Sequence, residues 1–312
     1  MEPKYAFIVG LPRTGTKLMM NVLENTQDRD CNITPENFFL GRVLRPGVRQ
    51  KLKQFGDLSI DSNVQRLVEA MYAGKFFGAY WDRLLNGRLA VDKDVMLERI
   101  LDSDRSDKAI YSVLLEVHAN VTEKSILGDK SGPHLYHVPT LLEWFPEARV
   151  VHTFRDPRAV LASEHKKLLA KQQRRIDRLK EAGKTGQAIF LKLTEPLSSL
   201  GIVLYITVAW LYAVRLHHKY KKLYPQNYYL SKFEDLVSQP EQSIRQLCEF
   251  LNIEFHPNML NPPQIGSSYV GSGGTGVDKQ TLSRWRTYLK PWMNGWLLLW
   301  GRKYLREFDY IH

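Results

Sequence analysis

The sequence predicts an α/β protein: a single domain with a central parallel β-sheet flanked by helices. Short runs of apolar and β-branched residues alternate with longer helical patterns, as in proteins with parallel sheets. No internal repeat or Pro/Gly/Ser-rich linker divides the chain, and 312 residues, of which 44% are hydrophobic, suffice to bury one core. We therefore expect one domain over residues 1–312, with its site where the strands end.

The predicted strands are short runs rich in apolar or β-branched residues, bounded by turn signals. In chain order these runs are Tyr5–Val9, Ser125–Leu127, Arg149–Phe154 and Asn227–Phe233. Each predicted helix has apolar residues at helical spacing. The helices are Thr16–Glu24, Asn63–Phe77, Ala109–Val121, Leu200–Leu223 and Pro240–Leu251. We expect a turn at Gly128, Asp129 and Lys130, and a helix start with Asp156 as N-cap and Pro157 in the first turn.

Composition argues against several classes of protein. Cys31 and Cys248 are far apart and in no metal-binding spacing, so neither a disulfide framework nor a metal site is expected. The longest apolar run, Ile202–Val214, has 13 residues, whereas a membrane-spanning helix needs about 20. We therefore expect a buried helix there and no transmembrane segment. The N-terminus has no basic and apolar leader, which predicts a cytoplasmic protein.

The charge of the chain is unevenly distributed, with a net charge of +11. Residues 166–192 include nine basic and two acidic residues, and residues 279–306 include seven basic and no acidic ones. Such clusters favour an anionic ligand, whether phosphate, sulfate, nucleic acid or acidic lipid, or they are solvated faces of exposed helices. For residues 166–192 both interpretations stay open.

The segment GLPRTGTK, residues 10–17, has glycines at the spacing of a phosphate-binding loop after the first strand. It departs from the Walker pattern, which has lysine directly after the second glycine, because Thr16 precedes Lys17. This offset disfavours magnesium-assisted chemistry on a nucleoside triphosphate. Arg13 instead offers forked donors to a terminal oxyanion. A purely structural turn between strand and helix is the alternative.

A second cluster, RDPR at residues 155–158, follows the third predicted strand, with Ser163 eight residues after Arg155. An arginine there can make a bidentate contact to phosphate, and the serine one further hydrogen bond. Together with the first loop, this pattern resembles the two motifs by which sulfotransferases bind 3′-phosphoadenosine 5′-phosphosulfate (PAPS). The resemblance implies a P-loop nucleotide-kinase-like sulfotransferase fold.

The resemblance also implies which residues bind the cofactor. The first loop would hold the 5′-phosphosulfate, Arg155 and Ser163 the 3′-phosphate, and residues 271–285 would cover the phosphates. The implied cofactor-binding residues are Pro12, Arg13, Thr14, Gly15, Thr16, Lys17, Arg155, Ser163, Ser272, Gly273 and Lys279. Many relatives have tyrosine where this chain has Phe233, so a hydroxyl contact at that position is missing. No metal is implied.

Sulfuryl transfer needs a base for the acceptor's proton and cations for the shifting charge. The resemblance to tyrosylprotein-type and bacterial sulfotransferases implies Glu36 as the base, Lys130 at the bridging oxygen, and Arg13 at the transferred group. Thr34 and Pro35 also predict a helix start, in which Glu36 would be only a favourable first-turn acid. The alternative bases are His118, His134, His137, His152 and His165.

The leading prediction is therefore PAPS-dependent transfer to a hydroxyl or amine of a small molecule, lipid, saccharide or peptide. The segment from Leu40 to Asp107 is expected to form much of the acceptor pocket. The alternatives are a P-loop kinase or nucleotide hydrolase, and a non-catalytic module that binds polyanions. Nucleic acid is not an expected partner of the enzyme, whereas contact with a membrane surface is an option. The sequence identifies neither the acceptor nor the oligomeric state.

Overall fold

The structure is a computed structural model, and it describes residues 4–25, 31–34, 36–41, 46–73, 92–122, 126–263, 275–276 and 278–311. Within these residues five strands form one sheet. They are β1 (Lys4–Gly10), β2 (Cys31–Thr34), β3 (Ile126–Asp129), β4 (Arg149–Phe154) and β5 (Tyr228–Lys232). The strand order is β2-β3-β1-β4-β5, and every neighbouring pair is parallel. The predicted parallel sheet is confirmed, with β1 at its centre.

Helices connect the strands and cover both faces of the sheet. They are α1 (Thr16–Glu24), α2 (Val48–Leu52), α3 (Asp61–Tyr72), α4 (Lys93–Leu101), α5 (Asp107–Thr122), α6 (Val138–Trp144), α7 (Pro157–Glu181), α8 (Thr185–Leu193), α9 (Glu195–Leu223), α10 (Phe233–Ser238), α11 (Pro240–Leu251), α12 (Trp285–Tyr288) and α13 (Pro291–Glu307). Short 3₁₀ helices lie at Lys53–Phe55, Gly132–His137, Pro257–Leu260 and Lys279–Leu282.

The core lies on both sides of the sheet because side chains of successive strand residues point to opposite faces. Phe7 of β1 packs into the larger cluster, which includes Trp210 of α9. Ile8 packs into the opposite cluster, which includes Leu247 of α11. A sheet covered on both faces needs strands that are apolar on both sides, which explains the apolar run at residues 6–9 in β1.

Several predicted elements are confirmed with their bounds, namely α1, β4 and α11. Asp156 caps α7, with Pro157 at its first position. The predicted turn at Gly128 and Asp129 is wrong, because both residues belong to β3 and pair with β1. Phe233 begins a helix rather than ending a strand. The helix predicted over Asn63–Phe77 is α3, and residues 74–77 lie outside the described residues.

The long helix α9 corrects the prediction that Ile202–Val214 is buried. Val203 is buried, whereas Leu204 and Val208 are 41% and 67% exposed. By length and composition alone, α9 could cross a membrane. However, Trp210 is 1% exposed and donates its indole N–H to the carbonyl of Arg155 at 3.0 Å. One side of α9 therefore belongs to the core, and the other side is apolar and exposed.

Candidate functional site

The loops that follow β1, β3 and β4 meet at one edge of the sheet, because these strands are parallel neighbours. Gly10, at the end of β1, pairs with Thr153 of β4. On the other side, Gly132 lies in the segment after β3. It approaches the end of β1 so closely that a Cβ on Gly132 would lie 2.5 Å from the carbonyl oxygen of Gly10. This edge carries the residues that the sequence singles out, as expected for the carboxyl ends of parallel strands.

Residues 10–17 form a tight loop between β1 and α1. The buried hydroxyl of Thr14 donates to the carbonyl of Leu11 at 2.7 Å and lies 2.8 Å from the hydroxyl of Thr153. Gly15 has φ 99°, and a Cβ there would lie 2.6 Å from the ring of Phe233. Only glycine suits this position. The loop is therefore fixed between β4 and the start of α10.

The loop leads into α1, whose first backbone N–H groups have no acceptor within the helix. Among the described residues, no side chain caps this end and no acidic residue occupies its first turn. Such a helix N-terminus carries partial positive charge and accepts phosphate or sulfate groups. Thr16 is partly buried here, whereas Pro12 and Lys17 are exposed. The exposed Lys17 agrees with the departure from the Walker pattern.

Three of the predicted cofactor residues come together although they are far apart in sequence. Nε of Arg13 donates to Oγ of Ser163 at 2.8 Å, and it lies 3.8 Å from a carboxylate oxygen of Glu164. Arg155 donates from Nη1 to the carbonyl of Arg13 and from Nη2 to the carbonyl of Thr281, both at 3.1 Å. Arg155 thus connects the loop after β1 to the segment that carries the exposed Lys279.

Phe233 has a role that the sequence did not indicate. The guanidinium carbon of Arg155 lies 3.9 Å from the centre of the Phe233 ring, a cation–π contact. The same ring fills the space beside Gly15. The aromatic ring of Phe233 therefore orients the arginine and supports the loop.

Glu36 and Lys130 form an ion pair on the other side of β1. Nζ of Lys130 lies 2.6 Å from Oε1 of Glu36, and the two side chains are 5% and 44% exposed, respectively. The backbone N–H of Lys130 donates to the carbonyl of Thr34 at 2.7 Å. The predicted helix start is wrong here, because Thr34 ends β2 and Glu36 lies in a loop, outside the described helices. Glu36 is therefore not a first-turn acid of a helix.

Ser131 was missed by the sequence analysis, although it follows Lys130 directly. Its buried hydroxyl accepts hydrogen bonds from the backbone N–H groups of Asn37 and Phe38, at 3.1 and 3.2 Å. Phe38 has φ 52°, a left-handed conformation that non-glycine residues rarely adopt. Ser131 therefore holds a strained backbone segment immediately after Glu36, and strain of this kind concentrates at functional sites.

His134 is part of a buried network beneath this ion pair. Its Nε2 accepts from the backbone N–H of Leu40 at 3.2 Å, and its Nδ1 lies 3.3 Å from Oδ2 of Asp129. The hydroxyl of Tyr111 donates to the same carboxylate oxygen at 2.9 Å. His134 is 0% exposed. Both ring nitrogens face protein groups, so this histidine is placed as a structural element.

Two further histidines are also buried. His152 contacts the hydroxyl of Tyr228, and its pKa is lowered to about 3 by burial and by the nearby His217. His165 contacts the hydroxyl of Ser199, and burial lowers its pKa as well. Both side chains are therefore almost fully enclosed by the protein. His137 is partly exposed with a pKa lowered by burial, and the side chain of His118 lies outside the described residues.

Several predicted positions lie outside the described residues. They include Ser272 and Gly273. They also include residues 74–91, which are a large part of the segment expected to form the acceptor pocket. The catalytic role predicted for Arg13 stays a prediction, since its guanidinium is directed at Ser163 and Glu164.

Comparison with solved structures found several similar chains, and the first of them supports the fold. The chain is similar to the sulfotransferase domain from the Synechococcus PCC 7002 olefin synthase, with TM-score 0.51 and 17% identity over 92% of this chain and 89% of that one. The sulfotransferase domain from the curacin biosynthetic pathway aligns with TM-score 0.46 and 19% identity, over 95% and 96% of the two chains. Sulfotransferase STF1 from Mycobacterium tuberculosis H37Rv gives 0.40 and 16%, over 82% and 69%.

Comparison with protein families assigns the chain. No curated protein matches it in sequence. A family model described as "Sulfotransferase family" matches residues 5–257. This range includes β1 to β5, the loop after β1, Arg155 and Ser163, and the pair formed by Glu36 and Lys130. Because the match covers most of the chain, the protein belongs to the sulfotransferase family.

Proposed function

We propose that this protein transfers a sulfuryl group from PAPS to a hydroxyl or amine of an acceptor. The observation that carries the proposal is the convergence of two separate anion-binding motifs. Arg13 contacts Ser163 at 2.8 Å across 150 residues of sequence, and Arg155 contacts the carbonyl of Arg13 at 3.1 Å across 142. A strand-to-helix turn needs no such arginines, whereas a ligand with two anionic groups does.

The residues present fit PAPS in charge and in donor type. The uncapped N-terminus of α1 suits a phosphosulfate group, and we assign the 5′-phosphosulfate to the loop at residues 12–17. Arg155 and Ser163 are assigned to the 3′-phosphate, with Arg13 beside them. Lys279 lies two residues before Thr281, whose carbonyl Arg155 contacts. PAPS, when bound, supplies an activated sulfuryl group.

Glu36 and Lys130 are assigned to the acceptor side of the reaction. Glu36 is 44% exposed, so its carboxylate can take the proton from an acceptor hydroxyl. Lys130 is almost fully buried and offers a fixed cation for the charge that moves to the bridging oxygen. Their 2.6 Å contact keeps the carboxylate oriented towards that cation. Ser131 fixes the backbone after Glu36 and is a positioning residue.

Binding and turnover measurements test the proposal. Isothermal calorimetry should detect binding of adenosine 3′,5′-bisphosphate without added metal. Radiolabelled PAPS should then label an acceptor from a panel of phenols, sugars, long-chain alcohols and tyrosine peptides. Binding of ATP with magnesium, together with no binding of the bisphosphate, would overturn the proposal in favour of a kinase or nucleotide hydrolase.

A further inference from the structure

The exposed side of α9 is apolar along its first five turns. Leucine, valine and tyrosine recur there every three or four residues, which places them on one side of the helix. This apolar stripe consists of Leu197, Leu200, Leu204, Val208 and Tyr212, which are 69%, 42%, 41%, 67% and 47% exposed. From Leu197 to Tyr212 it is about 23 Å long, at 1.5 Å per residue.

Nothing in the sequence of this segment offsets its apolar character. No Asp, Glu, Lys or Arg occurs between Glu195 and Arg215. The preceding helix, α8, extends the surface with Ile189, Phe190 and Leu193, which are 55%, 68% and 72% exposed. The opposite side of α9 already packs into the core through Val203 and Trp210. Monomeric proteins rarely expose apolar surface of this extent, so the stripe marks a contact surface.

Basic residues lie on the helix next to the stripe. Within the described residues, α7 packs along α9, where His165 contacts Ser199 at 2.9 Å and Gln172 donates to Ser198 at 3.0 Å. The exposed basic residues of α7 are Lys167, Lys171, Arg174, Arg175, Arg178 and Lys180. The apolar stripe is therefore bordered by a strongly positive surface.

The C-terminal helix α13 adds a second border of the same kind. Its Met293 and Leu297 pack with Val203 and Ile206 of α9 in one buried cluster. On its outer surface, α13 exposes two tryptophans, a leucine and three basic residues. They are Trp292, Leu299, Trp300, Arg302, Lys303 and Arg306. Tryptophan beside basic residues is typical of segments that lie at the boundary between headgroups and acyl chains.

We propose that the surface formed by the apolar stripe, α7 and α13 docks on an anionic lipid membrane. The stripe would enter the boundary between headgroups and acyl chains, and the basic residues would contact lipid phosphates. The charge of this surface favours a membrane over a second copy of the chain as its partner. A second copy of this chain, with net charge +11, would bring like-charged helices together, whereas an anionic bilayer satisfies both the apolar and the basic residues.

In this arrangement the protein contacts only one leaflet, and α9 stays packed against the rest of the domain. Trp210 and Ile206 stay in the core, and the indole of Trp210 keeps its hydrogen bond to Arg155. Because α7 carries Ser163 near its start and the basic residues farther along, the membrane surface and the cofactor motif share one helix. The proposal does not depend on PAPS binding.

Co-sedimentation with vesicles tests the docking. The full chain should bind vesicles of phosphatidylcholine with phosphatidylglycerol more tightly than vesicles of phosphatidylcholine alone. High salt should release it, because screening weakens contacts between exposed charges. No binding to the anionic vesicles, or binding that salt leaves unchanged, would overturn the proposal.

Substitutions on the stripe sharpen the test. The double variant Leu204→Glu with Val208→Glu should weaken vesicle binding at least about tenfold, because it removes apolar contact and adds negative charge. The matched control is Ile60→Glu, an isoleucine that is 52% exposed before α3 and should leave binding unchanged. Circular dichroism and the unfolding temperature check that each variant is folded.

A charge-reversed variant tests the basic border separately. Lys171→Glu with Arg175→Glu should lower vesicle binding and its salt dependence, whereas Lys93→Glu on α4 should not. Light scattering completes the experiment by reporting the oligomeric state. A dimer that Leu204→Glu and Val208→Glu dissociate, with no vesicle binding by the wild type, would overturn the proposal in favour of self-association.

Discussion

The two sides of the central strand β1 carry different sets of polar side chains. On the side of β4, Arg13, Arg155 and Ser163 form a cluster of cationic and hydroxyl donors close to the N-terminus of α1. On the side of β3, Glu36 and Lys130 form one short ion pair with a buried cation and a half-exposed carboxylate. After the roles proposed for them, we call these regions the phosphate side and the acceptor side.

Each side contains one non-glycine residue whose backbone has a left-handed conformation. Arg13 has φ 68° on the phosphate side, and Phe38 has φ 52° on the acceptor side. Each is held from a neighbouring strand end: the carbonyl of Arg13 by Arg155, and the N–H of Phe38 by Ser131. In the proposed reaction, ligand binding would be spread over several donors, whereas proton transfer would depend on one carboxylate. Substitutions should therefore affect binding on one side and turnover on the other.

The largest effect is expected at Glu36. Glu36→Gln keeps the size of the side chain and a contact to Lys130 but cannot accept a proton, so turnover should fall about 10²–10⁴-fold. The affinity for adenosine 3′,5′-bisphosphate should stay unchanged, because Glu36 lies on the acceptor side. Glu147→Gln, at an exposed position before β4, is the control. Turnover within about threefold of wild type would exclude Glu36 as the base.

The next largest effect is expected at Arg155. Arg155→Ala removes a charge-assisted donor worth about 1.5–3 kcal/mol, so calorimetry should show roughly tenfold or greater loss of bisphosphate affinity. It also removes the links to the carbonyls of Arg13 and Thr281. Arg245→Ala, which removes an exposed arginine paired with Glu241, is the matched control. Equal affinity of both variants would contradict the assignment of the 3′-phosphate.

The loop after β1 and the start of α7 could be predicted from sequence because their signals are local. Gly15 allows the backbone conformation that the loop after β1 requires. Asp156 as N-cap and Pro157 in the first turn mark the start of α7. The fold followed from the same signals, since β4 and α11 have the predicted bounds.

The acceptor side was harder to predict because it depends on contacts across the sheet. β2 has only four residues, which is too short to show a strand period, so Thr34 and Pro35 are also compatible with a helix start. Ser131 gave no signal, because its partners lie 93 and 94 residues away. The exposed side of α9 was hidden for another reason: a helix that is apolar all round does not show in its sequence which side faces the core.

A smaller effect is expected for the two cationic residues of the loop after β1, Arg13 and Lys17, which should differ in their contribution to bisphosphate binding. Arg13 contacts Ser163 at 2.8 Å, whereas Lys17 is exposed and displaced from the Walker position. Arg13→Ala should therefore weaken bisphosphate binding by about tenfold, as expected for one charge-assisted bond. Lys17→Ala should weaken it clearly less. Equal losses in calorimetry would favour the kinase alternative, in which the lysine of the loop contacts the phosphates.

The smallest effect on turnover is expected at Ser131. Ser131→Ala leaves the N–H groups of Asn37 and Phe38 without this acceptor, which should cost about 1–3 kcal/mol of stability for a buried group. The segment after Glu36 should then sample other conformations.

If Ser131 positions Glu36, then kcat should fall several-fold at a temperature where the variant is folded, while the KM for PAPS stays unchanged. Ser131→Thr keeps the hydroxyl and should restore kcat. A purely structural role would lower the unfolding temperature and leave kcat of the folded protein as in wild type. That outcome would leave the ion pair with Lys130 as the remaining constraint on Glu36, and would show that the strained conformation of Phe38 is not needed for proton transfer.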